Sequence, residues 1–102
     1  AAELELAPRV RELAALHGVC VAKVAVRDQR RRWGSCSARG NISLNWRLLQ
    51  VPPFVSDYVI LHELAHRSHM DHSASFWREV ERLCPGWREA EAWIRANARR
   101  VL

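Results

Sequence analysis

Hydrophobic residues recur at helical spacing in some segments of the chain and at strand spacing in others. Residues 3–17 carry Leu6 and Val10 four positions apart and are followed by Gly18, which predicts an amphipathic helix ending at the glycine. The β-branched and mostly apolar run at 19–28 predicts a well-buried strand. The first quarter of the chain therefore combines a helix with a strand.

Residues 31–46 are typical of a β-hairpin whose turn lies at 38–41, where glycine and asparagine accept the positive φ of tight turns. Strict alternation of apolar and polar residues in the second arm predicts a strand with one apolar and one polar face. The apolar positions are Ile42, Leu44 and Trp46, and the polar positions are Asn41, Ser43 and Asn45.

The second half of the chain predicts three helices. Residues 53–68 begin at a proline, which suits a first helical turn, and they are apolar nearly all round, so this helix should be central. Ser73 or Ser75 can cap the next helix, Pro85 ends it, and a last helix follows. The predicted fold is α+β, with a small antiparallel sheet packed on the central helix and flanking helices around it.

At 102 residues the chain can build one modest core, so residues 1–102 should form a single domain. The sequence begins Ala-Ala without an initiator methionine, and we expect it to be the C-terminal part of a longer chain. No apolar run approaches the roughly 20 residues of a membrane span. Three widely spaced cysteines without a C-x-x-C pair are typical of the reducing cytoplasm; they are Cys20, Cys36 and Cys84.

The segment HELAH, at 62–66, introduces candidate chemistry. His62 and His66 lie one turn apart on one face of the predicted helix, so both imidazoles can bind one metal ion. Glu63 is rotated by about 100° from His62 and can instead accept the proton of a metal-bound water. The spacing therefore predicts a zinc-dependent hydrolase with Glu63 as its catalytic residue.

A catalytic zinc ion usually has three protein ligands and one open position, so the motif leaves one ligand to be found. His69 shares the face of His62, but about 10.5 Å separates them along an unbroken helix, which is too far for both to bind one ion. His72 completes the HExxHxxxxxH spacing of several zinc proteases and is the favoured ligand. The alternatives on the following helix are Glu79 and Glu81.

Other residues near the motif are candidates for supporting roles. His69 and Tyr58 are candidates for orienting a ligand or stabilising the transition state, against the plainer interpretation of an exposed histidine and a core aromatic residue. Zinc peptidases commonly bind extended substrates along a sheet edge beside the metal, so we expect the strand before the helix to contact substrate. Its candidate positions are Asn41, Ser43 and Asn45.

The net charge of +5 leaves two alternatives to a peptidase open. In one, the protein is a metal-dependent phosphohydrolase of nucleotides whose Arg30, Arg31 and Arg32 neutralise phosphate, although a phosphate-binding glycine loop is missing from the sequence. In the other, a closed zinc site is structural in a nucleic-acid-binding module. Because the arginines are scattered, a solvated surface explains them better, and a peptide or protein is the favoured substrate.

Four segments of the sequence, taken together, resemble the YgjP-like metallopeptidase family. The resemblance rests on RWGSC, G-x-I-x-L-N, Y-V-x-x-H-E-L-x-H and H-S-x-x-F-W; it is close over residues 30–87, with Asp71 where asparagine is usual. It implies a minimal zincin core related to the SprT and WLM proteases, preceded by an N-terminal portion. Those relatives act on proteins crosslinked to DNA, which leaves a nucleic-acid partner open. The roles it implies are zinc ligation by His62, His66 and His72 and general-base catalysis by Glu63.

Overall fold

The protein is described by a computed structural model over residues 2–101, with side chains described for residues 2–99. One α-helix precedes a small three-stranded sheet in this part of the chain, and three α-helices follow the sheet. The α+β class is as predicted. The helices are α1 (Ala2–His17), α2 (Pro53–Ala65), α3 (Ala74–Leu83) and α4 (Trp87–Val101), the strands are β1 (Lys23–Arg27), β2 (Gly34–Cys36) and β3 (Asn41–Asn45), and a short 3-10 helix spans Trp46–Gln50.

The three strands form one mixed sheet in the order β1-β3-β2. β2 and β3 are the predicted antiparallel hairpin, with Gly40 at a φ of 89° in its turn. β1 pairs parallel to β3, so the prediction of a purely antiparallel sheet was wrong. The chain reaches this arrangement because residues 28–33 pass across the end of β3 before β2 begins. Asn45, the last residue of β3, donates hydrogen bonds to two carbonyls of this crossing segment.

The central strand of the sheet is β3, and β1 is an edge. Ile42 and Leu44 of β3 are fully buried, as the alternation predicts, whereas β1 is only partly buried because one of its sides has no neighbouring strand. The prediction of a well-buried strand at 19–28 was therefore wrong. Trp46 starts the 3-10 helix and does not continue β3.

Helix α2 is the central helix, as its all-round apolar sequence predicts. Eight of its thirteen residues are buried, and it packs against α1, α3, α4 and β2. Arg9 of α1 donates two hydrogen bonds, of 2.9 and 2.7 Å, to the carboxylate of Asp57 and so fixes α1 to α2. None of the described helices combines the length and hydrophobicity needed to cross a lipid bilayer.

Helix α2 ends at Ala65, three residues earlier than the predicted end. The backbone N–H groups of His66 and Arg67 bond to carbonyls three residues before them, which tightens the chain into turns. Arg67 then donates from its guanidinium to the carbonyls of Cys20 and Ala38, at 2.9 and 2.8 Å. The segment after α2 is thereby held against two loops, the one before β1 and the one between β2 and β3. From there the chain turns back towards α2.

Candidate metal centre

Three histidines converge where α2 ends and the chain turns back. His62 lies on α2, His66 is the residue directly after the helix, one turn further along the same face, and the following turn brings His72 towards them. One ring nitrogen from each residue lies within 4.8 Å of the others. His66 is buried, His62 is half-buried and His72 is exposed, so the cluster sits in an open cleft.

The donor set suits zinc. Zinc is commonly bound by neutral imidazoles at about 2.0–2.1 Å, with three protein ligands in catalytic sites. Nitrogens bound to one tetrahedral ion are about 3.4 Å apart. The separation of up to 4.8 Å in the structure exceeds this spacing by at most about 1.4 Å. Among the described residues, this is the one group of three or more possible ligand side chains that converge in this way.

Burial keeps two of these imidazoles neutral. It is the main cause that lowers the pKa of His62 to about 4, and the neighbouring His66 and His72 lower it further. Burial also lowers the pKa of His66. Neutral imidazole is the form that binds metal, so these two residues need lose no proton at neutral pH before binding.

Hydrogen bonds at Nδ1 orient both His62 and His66. His66 Nδ1 lies 2.9 Å from the carbonyl oxygen of His69, which only accepts, so Nδ1 carries the proton and Nε2 is left with a lone pair. His62 Nδ1 lies 3.2 Å from the hydroxyl of Tyr58, which in turn donates to Glu91 of α4 at 2.7 Å. The sequence does not indicate Glu91, because it follows Tyr58 by 33 positions.

The ring of Phe76 forms the floor under the three histidines. It stacks on His66 with ring centroids 4.4 Å apart and contacts His62 and His72 edge-on, each at 5.0 Å. Phe76 is fully buried, and the Ser73 hydroxyl caps the start of α3, as one of the two predicted caps. The F-W pair of the sequence motif is the signal that could have identified Phe76 as a supporting residue.

Glu63 points its carboxyl group into the same cleft. The residue is only 6% exposed, and burial raises the pKa of its carboxyl to about 7. Within the described part of the chain, no hydrogen bond to this carboxyl is present. A carboxyl group with a pKa near neutrality is suited to accept and return a proton.

The strand edge beside the site is β2, and not β3 as expected. β3 lies between two strands, so its main chain is already paired on both sides. The residues on either side of β2, Trp33 and Ser37, form hydrogen-bonded pairs with Asn45 and Asn41 at the two ends of β3. Because this alternation continues through Ser35, the main-chain groups of Gly34 and Cys36 face the free edge.

The candidate substrate residues of β3 therefore need correction. Asn45 is fully buried and bonds to the carbonyls of Gln29 and Arg32 and to the N–H of Arg47, so its side chain is not available to a substrate. Ser43 and Asn41 lie on the opposite sheet face from Leu44, which with Glu63 approaches Gly34. The structure therefore brings none of these three polar side chains to the cleft beside Glu63.

Two neighbouring cavities share Gly34, His62 and Glu63 in their linings. One, of about 290 Å³, is lined on its far side by Arg31, Trp33 and Glu91. The other, of about 310 Å³, is lined by Cys36, Met70 and the remaining histidines of the cluster. Arg32 borders both. A cleft that continues from the histidine cluster past His62 and Glu63 towards Glu91 can accommodate an extended chain.

The other candidate ligands lie outside the cluster. Glu79 pairs with Arg82 through two hydrogen bonds, and Glu81 accepts from Trp87 and Arg88. The His69 imidazole is not part of the cluster either; its backbone carbonyl bonds to His66.

The same fold occurs in solved metallopeptidases. The family model described as YgjP-like, metallopeptidase domain, matches residues 1–97. The chain belongs to the YgjP-like metallopeptidase family. The crystal structure of the zymogen of abylysin from Pyrococcus abyssi is similar at a TM-score of 0.74 and 30% identity, over 87% of this chain and 90% of that chain.

A second zymogen, that of jannalysin from Methanocaldococcus jannaschii, is similar at a TM-score of 0.77, over 92% of this chain and 97% of that one. Its identity of 19% supports the likeness of fold alone. No curated protein matches the chain. This member of the YgjP-like family is accordingly a metallopeptidase, and the histidine cluster, which could hold a metal ion, lies in its cleft.

Proposed function

We propose that this metallopeptidase binds one zinc ion per chain through His62, His66 and His72, and that Glu63 is the general base of peptide hydrolysis. The observation that carries the proposal is the convergence of the three imidazoles beside the buried carboxyl group of Glu63. When bound, zinc supplies a Lewis acid that polarises the scissile carbonyl and lowers the pKa of water. Three ligands leave the open position that a catalytic site requires.

In this proposal Glu63 moves the proton. Its carboxylate accepts a proton from the water that attacks the peptide carbonyl, and the protonated carboxyl then returns it to the nitrogen of the leaving amine. One carboxyl group can do both because burial places its pKa at about 7, so that both protonation states are accessible near neutral pH. The small exposed fraction of the residue limits competing bulk water.

We propose that the substrate binds as an extended strand along the free edge of β2. The unpaired main-chain groups of Gly34 and Cys36 can pair with a peptide backbone, as in other cases of strand addition. Gly34 lies against Glu63, so a peptide on this edge would have its carbonyls near the general base. The two cavities would receive side chains on either side of the cleaved bond.

We assign supporting roles to Tyr58 and His69 through their contacts with the ligands. Tyr58 is 3% exposed and gives its proton to Glu91, so it is placed to orient His62 better than to stabilise a transition state. His69 acts through its backbone carbonyl, which receives the Nδ1 proton of His66. Three free cysteines further support our proposal of a reducing, cytoplasmic location.

Zinc content, measured by elemental analysis of wild type, His72→Ala and His69→Ala, tests the ligand set. We expect about one zinc per chain in wild type and His69→Ala, and a loss of zinc in His72→Ala. His69→Ala is the matched control, because it removes an imidazole from the same turn and keeps the carbonyl that orients His66. Loss of zinc from His69→Ala with retention in His72→Ala would overturn the assignment.

The activity test uses unstructured peptides as substrates and Glu63→Gln as the variant. We expect this variant to keep its zinc and to cleave about 10²- to 10⁴-fold more slowly than wild type, as for loss of a general base. Phosphate release from nucleotides by wild type, lost in Glu63→Gln and without any peptide cleavage, would instead favour the phosphohydrolase alternative.

A further inference from the structure

A chain of two hydrogen bonds links helix α4 to the first proposed zinc ligand. The hydroxyl of Tyr58 donates to Oε1 of Glu91 at 2.7 Å and lies 3.2 Å from Nδ1 of His62. Tyr58 is 3% exposed, while Glu91 and His62 are half-buried, so the chain runs through the protein interior from the cavity wall to the histidine cluster.

The chemistry of the groups fixes the direction of this chain. A carboxylate only accepts hydrogen bonds, and a tyrosine hydroxyl has one proton, which therefore goes to Glu91. Towards His62 the hydroxyl oxygen is left as an acceptor, so Nδ1 of His62 must carry the proton. In a neutral imidazole, Nε2 then has the free lone pair that a metal ion needs.

We infer that Glu91, acting through Tyr58, is a positioning residue that holds His62 in the tautomer and ring orientation presenting Nε2 to the metal. The inference rests on the proposed role of His62 as a ligand. It gives His62 an arrangement equivalent to that of His66, whose Nδ1 proton goes to a backbone carbonyl. The difference is that the partner of His62 is a side chain on another helix, so α4 takes part in the site.

The proposed role of Glu91 depends on the charge of its side chain and not on the size of that side chain. In Glu91→Gln the amide can donate to the tyrosine oxygen, which frees the tyrosine proton to point at Nδ1 of His62. That proton would favour the opposite tautomer, with Nε2 protonated and unable to bind metal. A residue that merely packed α4 against α2 would tolerate the change to glutamine, since the two side chains have nearly the same shape.

The test compares Glu91→Gln, Tyr58→Phe, the double variant and Glu89→Gln with wild type. Glu89 is the matched control, because it is an exposed glutamate on the same helix, and its side chain takes part in none of the described hydrogen bonds. The first readout is the tautomer of His62 in the folded, metal-free protein, from nitrogen NMR shifts at about pH 7. The second is the affinity for Zn²⁺ alone, measured by competition with a chelator.

We expect Glu91→Gln to raise the Nε2–H fraction of His62 and to weaken Zn²⁺ binding by about 10- to 100-fold, the usual effect of losing a partner of a metal ligand. Glu89→Gln should match wild type in both. The double variant should bind no more weakly than Tyr58→Phe, because Glu91 acts through Tyr58. Losses that add in the double variant would mean a direct effect of the carboxylate charge on the cation, and they would overturn the inference.

An unchanged tautomer in folded Glu91→Gln would also overturn it. If Glu91→Gln fails to fold, Tyr58→Phe still provides the test, because it removes the acceptor for the Nδ1 proton and must shift the tautomer mixture. A different result would refute the proposed function, namely a wild-type protein that binds no Zn²⁺. Because the tautomer measurement needs no metal, the two failures can be distinguished.

Discussion

Gly34 of β2 lies directly against Glu63 of α2. A Cβ atom at this glycine would come within 3.2 Å of Cγ of Glu63, and equally close to the carbonyl of Ser43 and the side chain of Leu44. The missing side chain therefore allows the edge strand to approach the helix that carries the general base. This close approach places the free main chain of β2 beside the buried carboxyl group.

Gly34→Ala should separate these two elements. We expect the free energy of unfolding to fall by about 1–3 kcal/mol, as in other overpacked interiors, and kcat to fall with it because Glu63 is displaced. Urea unfolding and peptide cleavage measure the two effects. Gly86→Ala is the control, since a Cβ there meets no atom within 4 Å and its φ is not positive. A Gly34→Ala protein with unchanged kcat would show that the approach of β2 does not position Glu63.

Burial of Glu63 should reduce stability at neutral pH. The pKa of its carboxyl is raised from the ordinary 4.5 to about 7, so between these values the folded protein binds more protons than the unfolded chain. Stability contributed by this group is thus present below pH 4.5 and is lost as pH rises through about 7. His62, whose pKa is lowered, has the opposite dependence, but it is common to wild type and variant and cancels in their difference.

Metal-free Glu63→Gln should therefore be more stable than metal-free wild type above neutral pH, by about 2–3 kcal/mol. The difference should shrink to zero near pH 4, where the wild-type carboxyl is protonated. Urea denaturation in the presence of a chelator, repeated across this pH range, measures it. A difference that is constant with pH would mean that ionisation of Glu63 is not its cause.

Asn45 should be required for the crossing segment of the chain. Asn45→Asp places a carboxylate against the carbonyls of Gln29 and Arg32, to which the amide now donates at 2.6 and 3.2 Å. We expect a loss of about 2–3 kcal/mol in the free energy of unfolding, since the carboxylate oxygen that replaces the amide nitrogen faces two carbonyls, and only the other oxygen keeps its bond from the N–H of Arg47. Asn41→Asp, at the exposed start of the same strand, should change it by less than about 0.5 kcal/mol.

Arg67 should stabilise the turn that delivers His72. Arg67→Met retains much of the aliphatic length and leaves the carbonyls of Cys20 and Ala38 without their donor. The expected loss is about 1–2 kcal/mol, because two hydrogen bonds from a charged group are lost, while water can reach the exposed carbonyls. Thermal unfolding compared with Arg39→Met, an exposed arginine at the hairpin turn, measures the difference. Equal effects in the two variants would contradict a specific role for Arg67.

The parts of the fold that the sequence predicts are those encoded by local spacing. The apolar run around His62 predicts the central helix, alternation predicts the two faces of β3, and the spacing to His72 predicts the approach of a third histidine. Each of these depends on residues a few positions apart. The helix end was misplaced because the tightened turns at His66 and Arg67 are stabilised by contacts with distant loops.

The parts that the sequence does not predict depend on long-range pairing. Strand alternation carries no information about which neighbour a strand takes, so the parallel pairing of β1 and the edge position of β2 were missed. In the sequence, Asn45 cannot be distinguished from any polar residue on an alternating strand, because its hydrogen bond to the crossing segment depends on how the chain folds. Glu91 likewise looks like a solvent-exposed helix residue, and its relation to Tyr58 depends on how α4 packs on α2.

All three proposed ligands come from one contiguous stretch, residues 62–72. An unfolded chain keeps them within a short loop, and closing a short loop costs little entropy. A metal ion would then favour the folded state mainly through the hydrogen bonds that orient His62 and His66 there, and less through bringing the ligands together. We therefore expect the domain to rely on its hydrophobic core for its architecture and to stay folded when a chelator removes the metal.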